Sequence, residues 1–175
     1  GVLDPNYYPN LISKILKTVK KLKDELNIHM DYISLGGGYG IPYTDEDSPL
    51  NFDNVFNNVA QNFNVFFESR HEAKPALWIE PGKSVVGDTG ILLTRVTGKK
   101  DSYKSYIGVD AGMETLMRPA LYGAYHRIYK VGDPDALPST KVDITGRICE
   151  NTDRLAKDRL FPEVNEGDLL AVMDA

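Results

Sequence analysis

Two short stretches carry residue types that can do chemistry together, Gly36-Gly37-Gly38-Tyr39-Gly40 and Glu80-Pro81-Gly82-Lys83. Consecutive glycines let backbone N–H groups point into one concavity, where phosphate oxygens are received without side chains in the way. The second stretch adds an acid, a rigid turn, an open backbone at Gly82 and a cation at Lys83. The first is no P-loop, because no Gly-Lys-Ser/Thr follows it at the required distance. Nor does it match G-x-G-x-x-G, since Pro42 stands where the helix of that motif begins. Taken singly, the first stretch reads equally well as a tight glycine turn, and a lone Glu-Pro-Gly is usually just a turn. Taken together at adjacent strand ends, they favour a phosphorylated ligand over packing, with Glu80 reaching beyond it.

The remaining reactive residues are scattered. Cys149 is the one cysteine, so no internal disulfide forms, and a lone cysteine is most often a small buried hydrophobe. His29, His71 and His126 lie far apart with no metal-ligand spacing, and no metal site is expected. Arg118 offers a fork that suits a carboxylate, or a surface salt bridge.

The elements that must position these residues are legible from periodicity. Leu11, Ile12, Ile15, Leu16, Val19, Leu22 and Leu26 follow helical spacing, with lysines on the other face. Met30 to Leu35 then reads as a buried strand running straight into the first glycine cluster. Asn51 caps a second helix whose apolar face, Val55, Phe56, Val59, Phe63, Phe66 and Phe67, reaches towards Glu72. Pro75 to Ile79 is another short strand, and it stops in the Glu80 turn. Two helix–strand–glycine units in succession predict a parallel α/β sheet with its loops at the strand C-termini. Beyond about Gly90 the character changes. Ile91 to Val96, Tyr106 to Asp110, Tyr125 to Val131, Lys141 to Ile148 and Asp168 to Met173 are short β-type runs between Gly, Pro and Asp turns, so the second half reads as antiparallel and all-β, with a helical turn or two around Glu114 to Leu121.

Composition narrows the function classes. The 175 residues are 42% hydrophobic and 26% charged, which is ordinary for a globular chain able to bury one sizeable core or two small ones. A net charge of -5 without a basic block argues against a nucleic-acid partner. No apolar run approaches the roughly 18 residues of a membrane span, and the first ten positions hold neither a basic region nor an apolar signal core. No membrane association is expected, and the expected compartment is the reducing cytoplasm.

The motifs together resemble those of the fold-type III pyridoxal-phosphate (PLP) decarboxylases, and among them the diaminopimelate decarboxylase branch. The resemblance runs nearly end to end, through Gly36 to Tyr43, Glu80-Pro81-Gly82-Lys83-Ser84, Val109-Asp110-Ala111-Gly112-Met113, Arg118-Pro119-Ala120-Leu121-Tyr122, Cys149-Glu150-Asn151-Thr152-Asp153 and Leu170 to Ala175 in the family's order. It implies the C-terminal part of a PLP-binding (β/α)8 barrel over residues 1–88, followed by most of a β domain over residues 89–175. It implies that Gly38 and the backbone of Glu80, Pro81, Gly82 and Lys83 hold the pyridoxal 5'-phosphate, and that Glu80 faces the pyridine nitrogen and keeps it protonated. Arg118 and Tyr122 match substrate-binding positions, Cys149 the proton donor, and Glu150 the residue that meets the distal amino group of the substrate. The implied reaction is decarboxylation of meso-diaminopimelate to L-lysine. The implied assembly is a two-fold homodimer in which Cys149 and Glu150 enter the partner's site.

Departures from the family pattern leave alternatives open. Lys83 stands where the family usually carries an arginine that contacts a substrate carboxylate, and it keeps the charge without the fork. A complete barrel of this type needs about 250 residues, and the resemblance places the lysine that bonds PLP upstream of Gly1. The chain expressed alone is therefore expected to be inactive. A sister decarboxylase acting on ornithine, arginine or a carboxylated polyamine is the nearest alternative, although Glu150 argues against it because those enzymes usually carry Asp there. A catalytically dead homologue acting as a binding partner is the reading from another class.

Overall fold

The helix predicted to open at Leu11 begins one turn earlier. In the computed structural model, which describes all 175 residues, α1 spans Tyr7–Leu26. Tyr8, Ile12, Leu16 and Val19 are its buried residues, spaced along one face. Pro9 falls in the first turn, where a missing N–H breaks no helical bond. The helix stops at Asn27, whose left-handed φ of 53° lets the N–H groups of Asn27 and Ile28 turn back to the carbonyls of Lys23 and Leu22, at 3.0 and 3.2 Å.

The chain divides into two units, Gly1–Val86 and Gly87–Ala175. In the first unit β1 (Tyr32–Ser34) pairs in parallel with β2 (Ala76–Trp78), with Ser34 opposite Trp78. Between them runs α2 (Phe52–Ser69), opened by Asn51, whose side chain accepts from Asn54 N at 2.9 Å. It ends three residues short of Glu72, where Arg70 turns to pair with Glu72 at 2.9 Å and with Asp24 of α1 at 2.7 Å. Val55, Val59, Phe63 and Phe67 pack with the α1 face over Ile33 and Leu35 in one apolar cluster. A last helical turn, α3 (Lys83–Val86), follows the Glu80 turn.

The second unit is a six-stranded sheet in the order β5-β8-β3-β4-β6-β7. Its strands are β3 (Ile91–Asp101), β4 (Ser105–Val109), β5 (Ile128–Lys130), β6 (Thr140–Thr145), β7 (Arg154–Phe161) and β8 (Leu169–Met173), with α4 (Arg118–Tyr122) following β4. The all-antiparallel expectation does not hold. β4 and β6 pair in parallel, which makes the sheet mixed. The chain between them crosses to the far edge to form β5 beside β8, so β6 returns in the direction of β4. β3 runs five residues beyond its expected end at Val96 because it serves two partners, β8 from Ile91 to Arg95 and β4 from Val96 onward, with a bulge between Val96 and Gly98.

Periodicity passes over β7 altogether. Asp158 takes a left-handed φ of 49° within it, which interrupts the alternation, and its N–H donates to the buried Asp143 carboxylate at 2.7 Å. Arg154 and Lys104 face the same carboxylate, at 3.1 and 3.6 Å. Val96, Ile107, Val109, Ile144, Leu155, Leu170 and Val172 form the core.

Candidate cofactor and substrate sites

In the first unit the paired strands continue past their ends. Leu35 N donates to Trp78 O and Glu80 N to Gly36 O, both at 2.9 Å, so the two chemistry-bearing stretches lie side by side. A Cβ on Gly37 would sit 2.5 Å from the Glu80 carbonyl oxygen, too close for any side chain. Gly36 and Gly38 adopt φ of 68° and 89°, in the left-handed region. The loop carbonyls are turned inward and occupied: Gly37 O accepts from the Tyr8 hydroxyl at 3.0 Å, and Gly38 O accepts from Val2 N at 2.8 Å. The N–H groups of Gly37 and Gly38, and those of Gly82 and Lys83 on the neighbouring turn, have no acceptor in the unit. Backbone donors from two adjacent strand ends, on chain kept free of side chains by sterics, form a cradle suited to a phosphate group.

Glu80 stands at the lip of this cradle. Its Oε1 accepts from Ser34 Oγ at 2.6 Å, and Ser34 Oγ in turn accepts from Gly36 N at 3.0 Å. The carboxylate is thus oriented by the last residue of β1 and keeps a second oxygen open to a donor. The Lys83 ammonium lies 5.6 Å from the centre of the Tyr43 ring. Asp47 shapes the loop under Tyr43 by accepting from Tyr43 N and Thr44 N at 3.0 and 3.1 Å, and these bonds hold its pKa below the usual carboxylate value. An anion cradle with an acid beyond it fits a ligand carrying a phosphate and a basic ring nitrogen, and PLP has both.

In the second unit Arg118 opens α4 and its Nη1 lies 3.0 Å from His126 Nε2. Tyr122 closes α4 and is 74% exposed, and Gly123 ends the helix with a φ of 61°. Cys149 and Glu150 sit in the exposed turn between β6 and β7. Glu150 Oε1 accepts from Thr152 N and Oγ1, both at 3.2 Å. Residues on either side of that turn border two clefts. One, of about 390 Å³, is shared by Pro119 and Ala120 with Asn151 and Thr152. The other, of about 560 Å³, is lined by Glu150 and Asn151 together with Tyr103, Tyr106 and Arg154. The unit therefore places the Arg118 helix and the Glu150 turn around neighbouring clefts, while Cys149 lines neither.

The residue that holds this turn was not singled out in the sequence. Asp153 is 2% exposed, and its carboxylate accepts from Met113 N at 2.7 Å and Ile148 N at 2.8 Å. Cβ atoms on Gly112 or Gly146 would strike that carboxylate, at 2.6 to 2.8 Å from Glu114 and Asp153 oxygens in the first case and 2.3 Å in the second. Two glycines far apart in sequence thus make room for one buried acid, a pattern that only the folded chain brings into view. Ser34, Tyr8 and His126 were missed in the same way. Each acts through a partner tens of residues off or across a turn.

Comparison with known proteins agrees with this chemistry. Residues 7–175 match the family model described as pyridoxal-dependent decarboxylase, C-terminal sheet domain. The diaminopimelate decarboxylase of Methanothermobacter thermautotrophicus is 40% identical over 175 residues, covering 100% of this chain and 41% of its own length. That of Neisseria meningitidis is 42% identical over 163 residues, covering 93% of this chain and 37% of its own. Among solved structures, the M. jannaschii diaminopimelate decarboxylase superposes with a TM-score of 0.85 at 32% identity over 99% of this chain and 39% of that one. The chain spans about two fifths of the length of these relatives. It belongs to the family of pyridoxal-dependent decarboxylases, in the part that carries their C-terminal sheet domain.

Proposed function

We propose that the protein containing this chain decarboxylates meso-diaminopimelate to L-lysine with pyridoxal 5'-phosphate as cofactor. Residues 1–88 would supply the last part of a (β/α)8 barrel and residues 89–175 most of a β domain. The observation that carries the reading is the double strand-end cradle with Glu80 fixed at its lip by Ser34. Bound PLP supplies a sink for the electron pair left when carbon dioxide departs. Gly38, Gly82 and Lys83 would hold its phosphate through their backbone N–H groups, Glu80 and Pro81 would shape the turn that presents them, and the Glu80 carboxylate would keep the ring nitrogen protonated. Lys83, Arg118 and Tyr122 bind the substrate, the two cations meeting a carboxylate. Glu150 accepts from the distal ammonium. Cys149 Sγ delivers the proton to the carbon that lost carbon dioxide.

Cys149 and Glu150 are exposed at the tip of a turn, which suits residues offered to the site of a second copy, and a homodimer with shared sites follows from this reading. No helix is long and apolar enough to cross a membrane. An unpaired thiol is compatible with a reducing cytoplasm, where we place the protein. Mass spectrometry of the product formed by the full-length protein in deuterated water tests the proposal. The expected product is lysine carrying one deuterium at the former α-carbon, whereas unchanged diaminopimelate with turnover of ornithine or arginine would transfer the protein to the sister activities.

A further inference from the structure

The Arg118 guanidinium meets a buried side chain to which the proposed reaction gives no part. Nη1 of Arg118 lies 3.0 Å from His126 Nε2, and the other ring nitrogen, Nδ1, lies 2.8 Å from the Met173 carbonyl oxygen. His126 is 0% exposed. A carbonyl can only accept, so Nδ1 carries a proton; a guanidinium can only donate, so Nε2 presents its lone pair. These two contacts admit one state of the ring, the neutral Nδ1–H tautomer. A protonated ring would set an N–H against the guanidinium with no acceptor between them.

The surroundings hold the ring in that place and state. The His126 carbonyl accepts from Arg159 Nη1 at 3.0 Å, and the Arg159 guanidinium lies 3.9 Å from the centre of the Tyr125 ring. Met173 N donates to Arg127 O at 2.9 Å, which keeps the end of β8 beside the imidazole. Burial lowers the His126 pKa, and Arg118 and Arg159 push the same way, against the Met173 carbonyl and Asp174. On the other side, Arg118 belongs to a helix of five residues with Pro119 next to it, so the helix itself offers little to fix a long side chain. An acceptor on one edge of the guanidinium sets the plane of the fork.

We propose that His126 is a positioning residue, whose Nε2 accepts one N–H of Arg118 and so aims the rest of the guanidinium fork at the substrate carboxylate. The inference rests on the reading of Arg118 as a carboxylate-binding residue, and it adds the group that makes the fork rigid.

Two substitutions in the full-length protein separate positioning from mere support. His126→Gln keeps an acceptor near the Nε2 position and loses the bond to Met173. His126→Asn keeps a donor near the Nδ1 position and loses the bond to Arg118. Each gives up one hydrogen bond, so a purely structural role predicts similar losses. Positioning predicts that His126→Asn raises KM about tenfold with kcat within about twofold, and that His126→Gln raises KM less than about threefold. Equal KM values in the two variants, or KM values that follow their thermal midpoints, overturn the proposal.

Arg118→Lys distinguishes the inference from the reading beneath it. If KM rises there while the two His126 variants agree, Arg118 keeps its role and His126 loses its own. If KM is unchanged in Arg118→Lys, both fall. The wild-type protein labelled with nitrogen-15 histidine gives a readout independent of turnover, available even if neither His126 variant folds. The His126 signals should show a protonated Nδ1 and a bare Nε2 at neutral pH; a protonated Nε2 overturns the proposal.

Discussion

The proposed function gives Lys83 and Glu80 different work a few residues apart. Lys83 extends from the start of α3 towards Tyr43, and its ammonium is a point charge that can satisfy one carboxylate oxygen well but not two in a plane. Lys83→Arg in the full-length protein should therefore lower KM for diaminopimelate by about three- to tenfold while kcat changes little, as steady-state kinetics will show. An unchanged KM would remove Lys83 from the substrate site. Glu80 is already oriented by Ser34, so Glu80→Gln keeps the shape and loses the charge to which the proposed function assigns the protonation of the ring nitrogen. Its expected signature is a fall in kcat of about 100-fold or more with KM nearly constant. Tyr39 poses the opposite case. Its ring is fully buried against Tyr8, its hydroxyl has no partner, and burial pushes its pKa up to about 12. Tyr39→Phe removes a polar atom that gains nothing from folding, so stability should stay level or rise by about 1 kcal/mol in urea unfolding.

At the scale of elements, glycines and one acid explain how the strand ends and turns keep their form. Gly37 marks the closest approach of the two strand ends, and a methyl group there would collide with the Glu80 backbone. Gly37→Ala should weaken PLP binding by the full-length protein about tenfold or more in equilibrium dialysis, whereas retained affinity would show that the cradle lies elsewhere. Asp153→Ala leaves the N–H groups of Met113 and Ile148 without their acceptor, at a cost of about 1–3 kcal/mol each, and should loosen the Cys149 turn as seen in faster backbone amide exchange from Gly146 to Thr152. The helices α1 and α2, the strands β1 and β2 and the glycine turns were legible in the sequence because their signals are local: the apolar face of α1, the Asn51 cap, a short strand closed by Gly36. β7 and the parallel β4–β6 pairing were not. Strand direction in a sheet depends on where the chain returns, and the Asp158 bulge erases the alternation that marks a strand. Of the candidate site residues, those in contiguous motifs could be proposed from sequence, while Ser34, His126 and Asp153 act through partners that the fold brings to them.

On the scale of the whole chain, pH acts through groups whose folded and unfolded proton affinities differ. His126 has its pKa lowered in the folded protein, chiefly by burial, so below the ordinary histidine value the unfolded chain binds more protons than the folded one. Its contribution to stability is complete above about pH 6.5 and is lost as pH falls through the depressed folded value. Asp47, Asp110 and Asp168 are also lowered, by hydrogen bonds from backbone N–H groups first of all, and their contributions persist until the carboxylate range is reached. Urea midpoints should therefore hold steady at alkaline and neutral pH, begin to fall near pH 6.5, and fall again below about pH 4; His126→Gln should remove much of the first decline. A first decline of undiminished size in that variant would assign it to other groups. Each of these effects concerns how the chain is held together, whereas the proposed function rests on the cradle, Glu80 and the Cys149-Glu150 turn. Carbon dioxide release by the full-length protein, supplied with PLP and offered meso-diaminopimelate, ornithine, arginine and a carboxylated polyamine in parallel, tests that function most directly: release from diaminopimelate alone is the predicted result, and release from any of the others with none from diaminopimelate would contradict it.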